Sequence, residues 1–120
     1  MEEIVEDLKK LAAPGSYWLP KLVQSPESGE KLAAIVILQV IPNPEYLHWV
    51  EQRVGDEQPF LSYQATVALR EAAGTLSIKY REQLSMAINF ARENLPLSRG
   101  DKGDRMRKLE EAAWALSERL

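Results

Sequence analysis

The stretch Leu32-Ala33-Ala34-Ile35-Val36-Ile37-Leu38-Gln39-Val40-Ile41 holds one polar residue in ten. An unbroken apolar run has no periodicity to separate helix from strand, and its β-branched residues also suit a buried strand. Length decides the matter, because strands average about 5–6 residues, and the segments on either side read as helices. A helix that is apolar around its circumference must be covered on several sides. The run is therefore read as a helix at the centre of the domain.

On its N-terminal side, Ile4, Val5, Leu8, Leu11 and Ala12 fall on one helical face, and Ala13-Pro14-Gly15-Ser16 ends that helix. Leu19 to Gln24 is a short helical turn, with Tyr17 and Trp18 placed over one end of the core. On the C-terminal side, Asn43-Pro44-Glu45 combines a capping side chain, a proline suited to the first helical position and a carboxylate at the positive end of the dipole. Tyr46, Leu47, Val50 and Val54 form the stripe of this helix, and Gly55 is its expected stop. A further start at Asp56 leads to Phe60, Leu61, Ala65, Ala68, Leu69 and Ala72, with Gly74 as the end. The next helix runs from about Ser77 to Asn94, with Tyr80, Leu84, Ala87, Ile88, Ala91 and Leu95 as its apolar stripe and Pro96 marking its end. A polar loop over 98–103 precedes a last helix over 104–120, with Met106, Leu109, Ala113, Leu116 and Leu120 on one face. The expectation is an all-α domain of five to six antiparallel helices, a short array or a bundle, filling residues 1–120.

Lys31 to Leu38 can be laid over Tyr63 to Arg70 at an offset of 32 residues. Each block is followed by a break and a second amphipathic helix, so repeat units fall at about 28–55 and 60–95, the format of stacked helix pairs. Ala33-Ala34 with Leu38, and Tyr63-Gln64-Ala65 with Val67 to Leu69, resemble HEAT-like helical repeats over roughly Ser25 to Ala73. Glu57-Gln58-Pro59-Phe60 with Tyr63-Gln64-Ala65 is similar to helical modules that accompany effector domains in bacterial signalling and defence proteins. The resemblance implies a binding scaffold.

Composition narrows the function. The 120 residues include no cysteine and a single histidine, His48, which excludes disulfides, thiolate metal sites and a His-pair metal site within one chain. A net charge of -3 argues against a general nucleic-acid binder. The acidic start Met1-Glu2-Glu3-Ile4-Val5-Glu6-Asp7 is unlike a signal peptide, and no apolar run approaches the ~20 residues of a membrane span. A cytoplasmic protein is expected. No phosphate loop, dinucleotide fingerprint or Gly-x-Ser-x-Gly elbow is present, and no cofactor is expected. Carboxylate pairs such as Glu110–Glu111 are sequence neighbours, which diverge by about 100° on a helix.

Two features of the last helix stand out. Arg99, Lys102, Arg105, Arg107 and Lys108 concentrate positive charge, either as a solvated surface or as a local dock for an acidic partner or a nucleic-acid phosphate. Trp114 lies off the apolar stripe, near Arg107, Glu110, Glu111 and Glu118, either as the edge of the core or as a contact anchor of the kind tryptophan often provides. Trp114, Arg107, Glu110, Glu111 and Arg105 are therefore the candidate protein-contact residues. The expected function is a non-catalytic adaptor or regulatory module whose partner is another protein, with the C-terminal helix also a candidate homodimer contact and no nucleic-acid or membrane partner. The alternative is a small all-α enzyme or ligand-binding protein that uses an inter-helix cleft.

Overall fold

Prolines and small polar residues cut the chain into intervals, and helices fill them. The computed structural model describes residues 2–10, 15–55, 58–95 and 102–118. The helices are α1 (Glu2–Lys10), α2 (Leu19–Leu22), α3 (Ser28–Val40), α4 (Leu47–Val54), α5 (Pro59–Thr75), α6 (Arg81–Glu93) and α7 (Lys102–Glu118). The 3-10 turns Ser16–Trp18, Pro44–Tyr46 and Ile78–Tyr80 lead into α2, α4 and α6. Among the described residues there is no strand, and the fold is all-α as the sequence predicts. None of the described helices is long and apolar enough to cross a membrane.

The local signals act largely as their chemistry requires. Asn43 Oδ1 accepts the Glu45 N–H at 2.9 Å, and Pro44 opens the turn before α4. Ser25 Oγ accepts the Glu27 N–H at 3.1 Å, fixing the bend into α3. Gly74 is not a stop, because α5 continues through it to Thr75. The expected start at Asp56 lies outside the described residues. So does most of the expected polar loop, whose last two residues, Lys102 and Gly103, already belong to α7.

Ala34 through Gln39 are all buried. At 100° per residue this sweeps the whole circumference of α3, as an all-apolar helix demands. The cover comes from α1, α2 and α5, and Gly15 adds to it. A Cβ at Gly15 would stand 3.1 Å from Ile37 Cδ1, so the missing side chain permits the close approach. The centre of the domain is nevertheless a different helix from the one expected. α5 packs on α3, α4, α6 and α7 together. Its Ala65, Ala68, Ala72 and Ala73 are buried, and short side chains let several neighbours reach one axis.

The helices pack in two rows. α1, α3, α5 and α7 contact in that order, while α4 lies beside α6. In the first row α5 and α7 share a direction. Ser62 near the start of α5 meets Arg105 near the start of α7. In the other row the first halves of α4 and α6 face one groove, and Gly55 after α4 lies near Asn94 after α6. Between rows α6 and α7 run opposite ways, since Leu116 and Ser117 meet Ile78 and Arg81. α5 packs on α6, whereas α3 and α4 barely touch. The radius of gyration is 13.2 Å, close to the ~13.6 Å expected of a compact domain of this length.

One buried polar link fixes the register of α3 on α5. Gln39 Nε2 donates to Gln64 Oε1 at 2.7 Å and to Gln64 O at 3.0 Å, joining α3 to α5. Changing Gln39 to leucine alone strands the Gln64 Oε1 acceptor in the interior, with an expected loss of about 1–3 kcal/mol. Changing both glutamines to leucine removes the polar groups together and should restore most of it. Urea denaturation of the three variants checks this, and additive losses would deny the coupling.

Candidate interaction surface

The outward face of α7 is set by what its inward face needs. Arg105, Leu109, Ala112 and Leu116 are buried at helical spacing and lie against the body of the domain. Residues half a turn away must face solvent. Trp114 is there, 67% exposed, with Arg107, Glu110 and Glu118 also exposed around it. Arg107 leans toward Asp104 at 3.7 Å. Glu111 is half-buried on the flank, 3.3 Å from Lys108. Of the expected contact residues, the structure thus gathers Trp114, Arg107 and Glu110 on one face, with Glu111 at its edge.

Arg105 requires a correction. It was expected on the surface and is fully buried. Its Nη1 donates to Ser62 Oγ at 2.9 Å, and Ser62 Oγ donates to Val54 O at 2.6 Å. Val54 is the last residue of α4, whose carbonyl has no partner within its own helix. One hydroxyl therefore ties the ends of three helices, and the cation lies toward the negative end of the α4 dipole. The expected basic cluster disperses accordingly: Arg105 points inward, while Arg107 and Lys108 pair with neighbouring carboxylates. Arg99 lies outside the described residues.

Trp18 and Tyr17 also differ from expectation. They were placed over the core, yet Tyr17 is 80% and Trp18 52% exposed, stacked edge to face at 5.3 Å. Leu19 alone of that cluster is buried. Trp49 is half-buried beneath Arg53, whose guanidinium lies 5.4 Å from its ring centroid.

Two grooves flank α6. The larger, of about 570 Å³, lies between α6 and α7. Its floor is apolar, with Ile88, Ala113 and Leu116, and Lys79, Arg81 and Glu82 stand along it. The smaller, of about 320 Å³, lies between α4 and α6 and contains His48, Glu51 and Met86. His48 Nδ1 is 2.6 Å from Glu51 Oε1, and its ring tilts toward Phe90 at 6.5 Å. No hydrogen bond among the described residues connects a serine or threonine to His48, so the geometry seen there is that of a hydrogen-bonded pair and not a nucleophile–base–acid relay. Among the described residues no group of three histidine, aspartate or glutamate side chains converges as metal ligands do.

Residue patterns alone did not disclose the cleft. Ile88 and Leu116 both read as stripe residues of separate helices, but only the docking of α7 beside α6 makes them parts of one concave surface. Comparison with family models, curated proteins and solved structures finds no match.

Proposed function

We propose that the protein is a non-catalytic docking module, an adaptor or regulatory domain that works by binding another protein. Trp114 carries this reading. A large aromatic held directly opposite the buried face of its helix, two-thirds exposed, contributes little to its own fold. Tryptophan is the residue most enriched at the energetic centre of interfaces. The half-buried Ala113 and Ala115 on either side leave room for a close approach. The two rows of helices and the sequence offset support a short HEAT-like array, a scaffold type that binds through extended surfaces.

Paired affinity capture with the wild-type chain and Trp114→Ala, read by mass spectrometry, tests the proposal. Loss of an interface tryptophan costs about 2 kcal/mol or more, roughly 30-fold in affinity, so a true partner should disappear from the variant. The variant should keep wild-type helicity and a melting midpoint within about 2 °C, as a substitution at an exposed site does. A monomer that melts far earlier would make Trp114 a core residue and remove the proposal. Light scattering over a concentration series tests the homodimer version, which fails if the wild type stays monomeric.

The α6/α7 cleft supports a second reading, a ligand-binding protein, because its volume of about 570 Å³ lies in the range of small-molecule sites. A fragment screen followed by amide shifts along α6 and α7 separates the two.

A further inference from the structure

The two-row packing makes a geometric demand at α6. In the row formed by α4 and α6, the helices lie side by side and run the same way. The next position in that row lies beside α6 and over α7. The α6/α7 cleft occupies that position. We propose that the cleft seats an amphipathic helix of a partner protein, lying parallel to α6 and acidic in its first turn. This rests on the docking reading above and specifies the partner's chemistry.

The dimensions suit a helix. The lining runs from Ile78, in the 3-10 turn before α6, to Asn89 within α6, a span of about three helical turns. The floor suits an apolar stripe. Ile78 is 47% exposed although it is a large aliphatic, and Ile88, Ala113 and Leu116 continue the surface beneath it. Ala113 is the small residue that lets a second helix backbone come close. Trp114 stands one position further around α7, outside the cleft lining, and belongs to the outward face of that helix.

The charges specify the direction. Lys79 and Arg81 stand together where α6 begins, against the single carboxylate of Glu82. Neither cation is held in an ion pair among the described residues. A helix parallel to α6 brings its own N-terminal turn to these cations. Aspartate and glutamate in that turn are favoured by the occupant's own dipole, and here they also meet Lys79 and Arg81. A basic first turn would meet both cations and lose on both counts.

Two synthetic helical peptides of about 14 residues test this. They share one leucine and isoleucine stripe; one carries glutamates in its first turn and the other lysines. Each is titrated into the isotope-labelled full chain and followed by NMR. The glutamate peptide should bind with a Kd below about 100 µM and shift the amides of Ile78, Arg81, Ser85, Ala113 and Ser117, and the lysine peptide should bind about tenfold more weakly. Arg81→Glu, an exposed substitution, should erase or invert that preference. Failure of both peptides to bind below about 1 mM overturns the inference, as do shifts confined to the α4/α6 groove or a preference that survives Arg81→Glu. Dimerisation of the free protein in competition with the peptide would assign the cleft to a second copy and equally overturn it. Should these peptides fail while Trp114→Ala still abolishes capture of a partner, the docking function stands and the acidic helix alone falls.

Discussion

Arg105→Ala is expected to lower the stability of the fold by about 3 kcal/mol or more. The arginine is fully buried and makes a charge-assisted hydrogen bond to Ser62, worth about 1.5–3 kcal/mol. Its aliphatic stem also fills space between α5 and α7, and truncation leaves a cavity there. Loss on this scale is a large part of the about 5–15 kcal/mol that holds a domain of this size together. Arg105→Met keeps most of the stem and should lose less. Ser62→Ala removes the shared hydroxyl, deprives Arg105 Nη1 and Val54 O of that partner together, and should cost about 1–3 kcal/mol. Guanidinium denaturation measures all three. A change within about 0.5 kcal/mol for Arg105→Ala, typical of surface positions, would place the side chain in solvent.

Ile37→Asp should abolish folding. Ile37 is 5% exposed, in the middle of a helix covered all round, and it also receives the close approach of Gly15. A carboxyl group there has no counter-charge supplied by its apolar neighbours. The expected cost exceeds about 4 kcal/mol, which takes a marginally stable domain to the edge of unfolding or beyond. Circular dichroism and the concentration of soluble protein report the outcome. A cooperative melt near that of the wild type would show that α3 tolerates water on this side.

The helices were legible because their signals are local. Asn43-Pro44-Glu45 states a helix start in three adjacent residues, and the Leu47–Val50–Val54 stripe follows directly from spacing. The centre of the fold was less legible. Hydrophobicity singled out α3, but centrality depends on how many neighbours can reach an axis, and the alanines of α5 confer that through their smallness. The last helix shows the same limit in another way. An apolar reading of α7 selects Met106 and Ala113 as inward, whereas the buried face runs through Arg105, Leu109, Ala112 and Leu116. A charged residue facing the interior carries no signature in its own segment, because the hydroxyl that justifies it lies 43 residues away. Trp114 was legible as an oddity for the opposite reason. Its departure from the stripe is visible within two turns of helix, and the structure places it on the outward face. The cleft between α6 and α7 had no local signal, since its two walls come from different helices.

The position of α5 bears on how the domain holds together. In a true one-dimensional stack each repeat touches only its neighbours, so stability accumulates unit by unit and a terminal unit can be lost without the rest. Here a single helix is the shared wall of four others. Peeling away any one of them bares the same alanine-lined surface, and the remaining helices lose the partner on which their own apolar faces depend. A shared wall of this kind favours the all-or-none cooperativity of a small single domain over unit-by-unit loss.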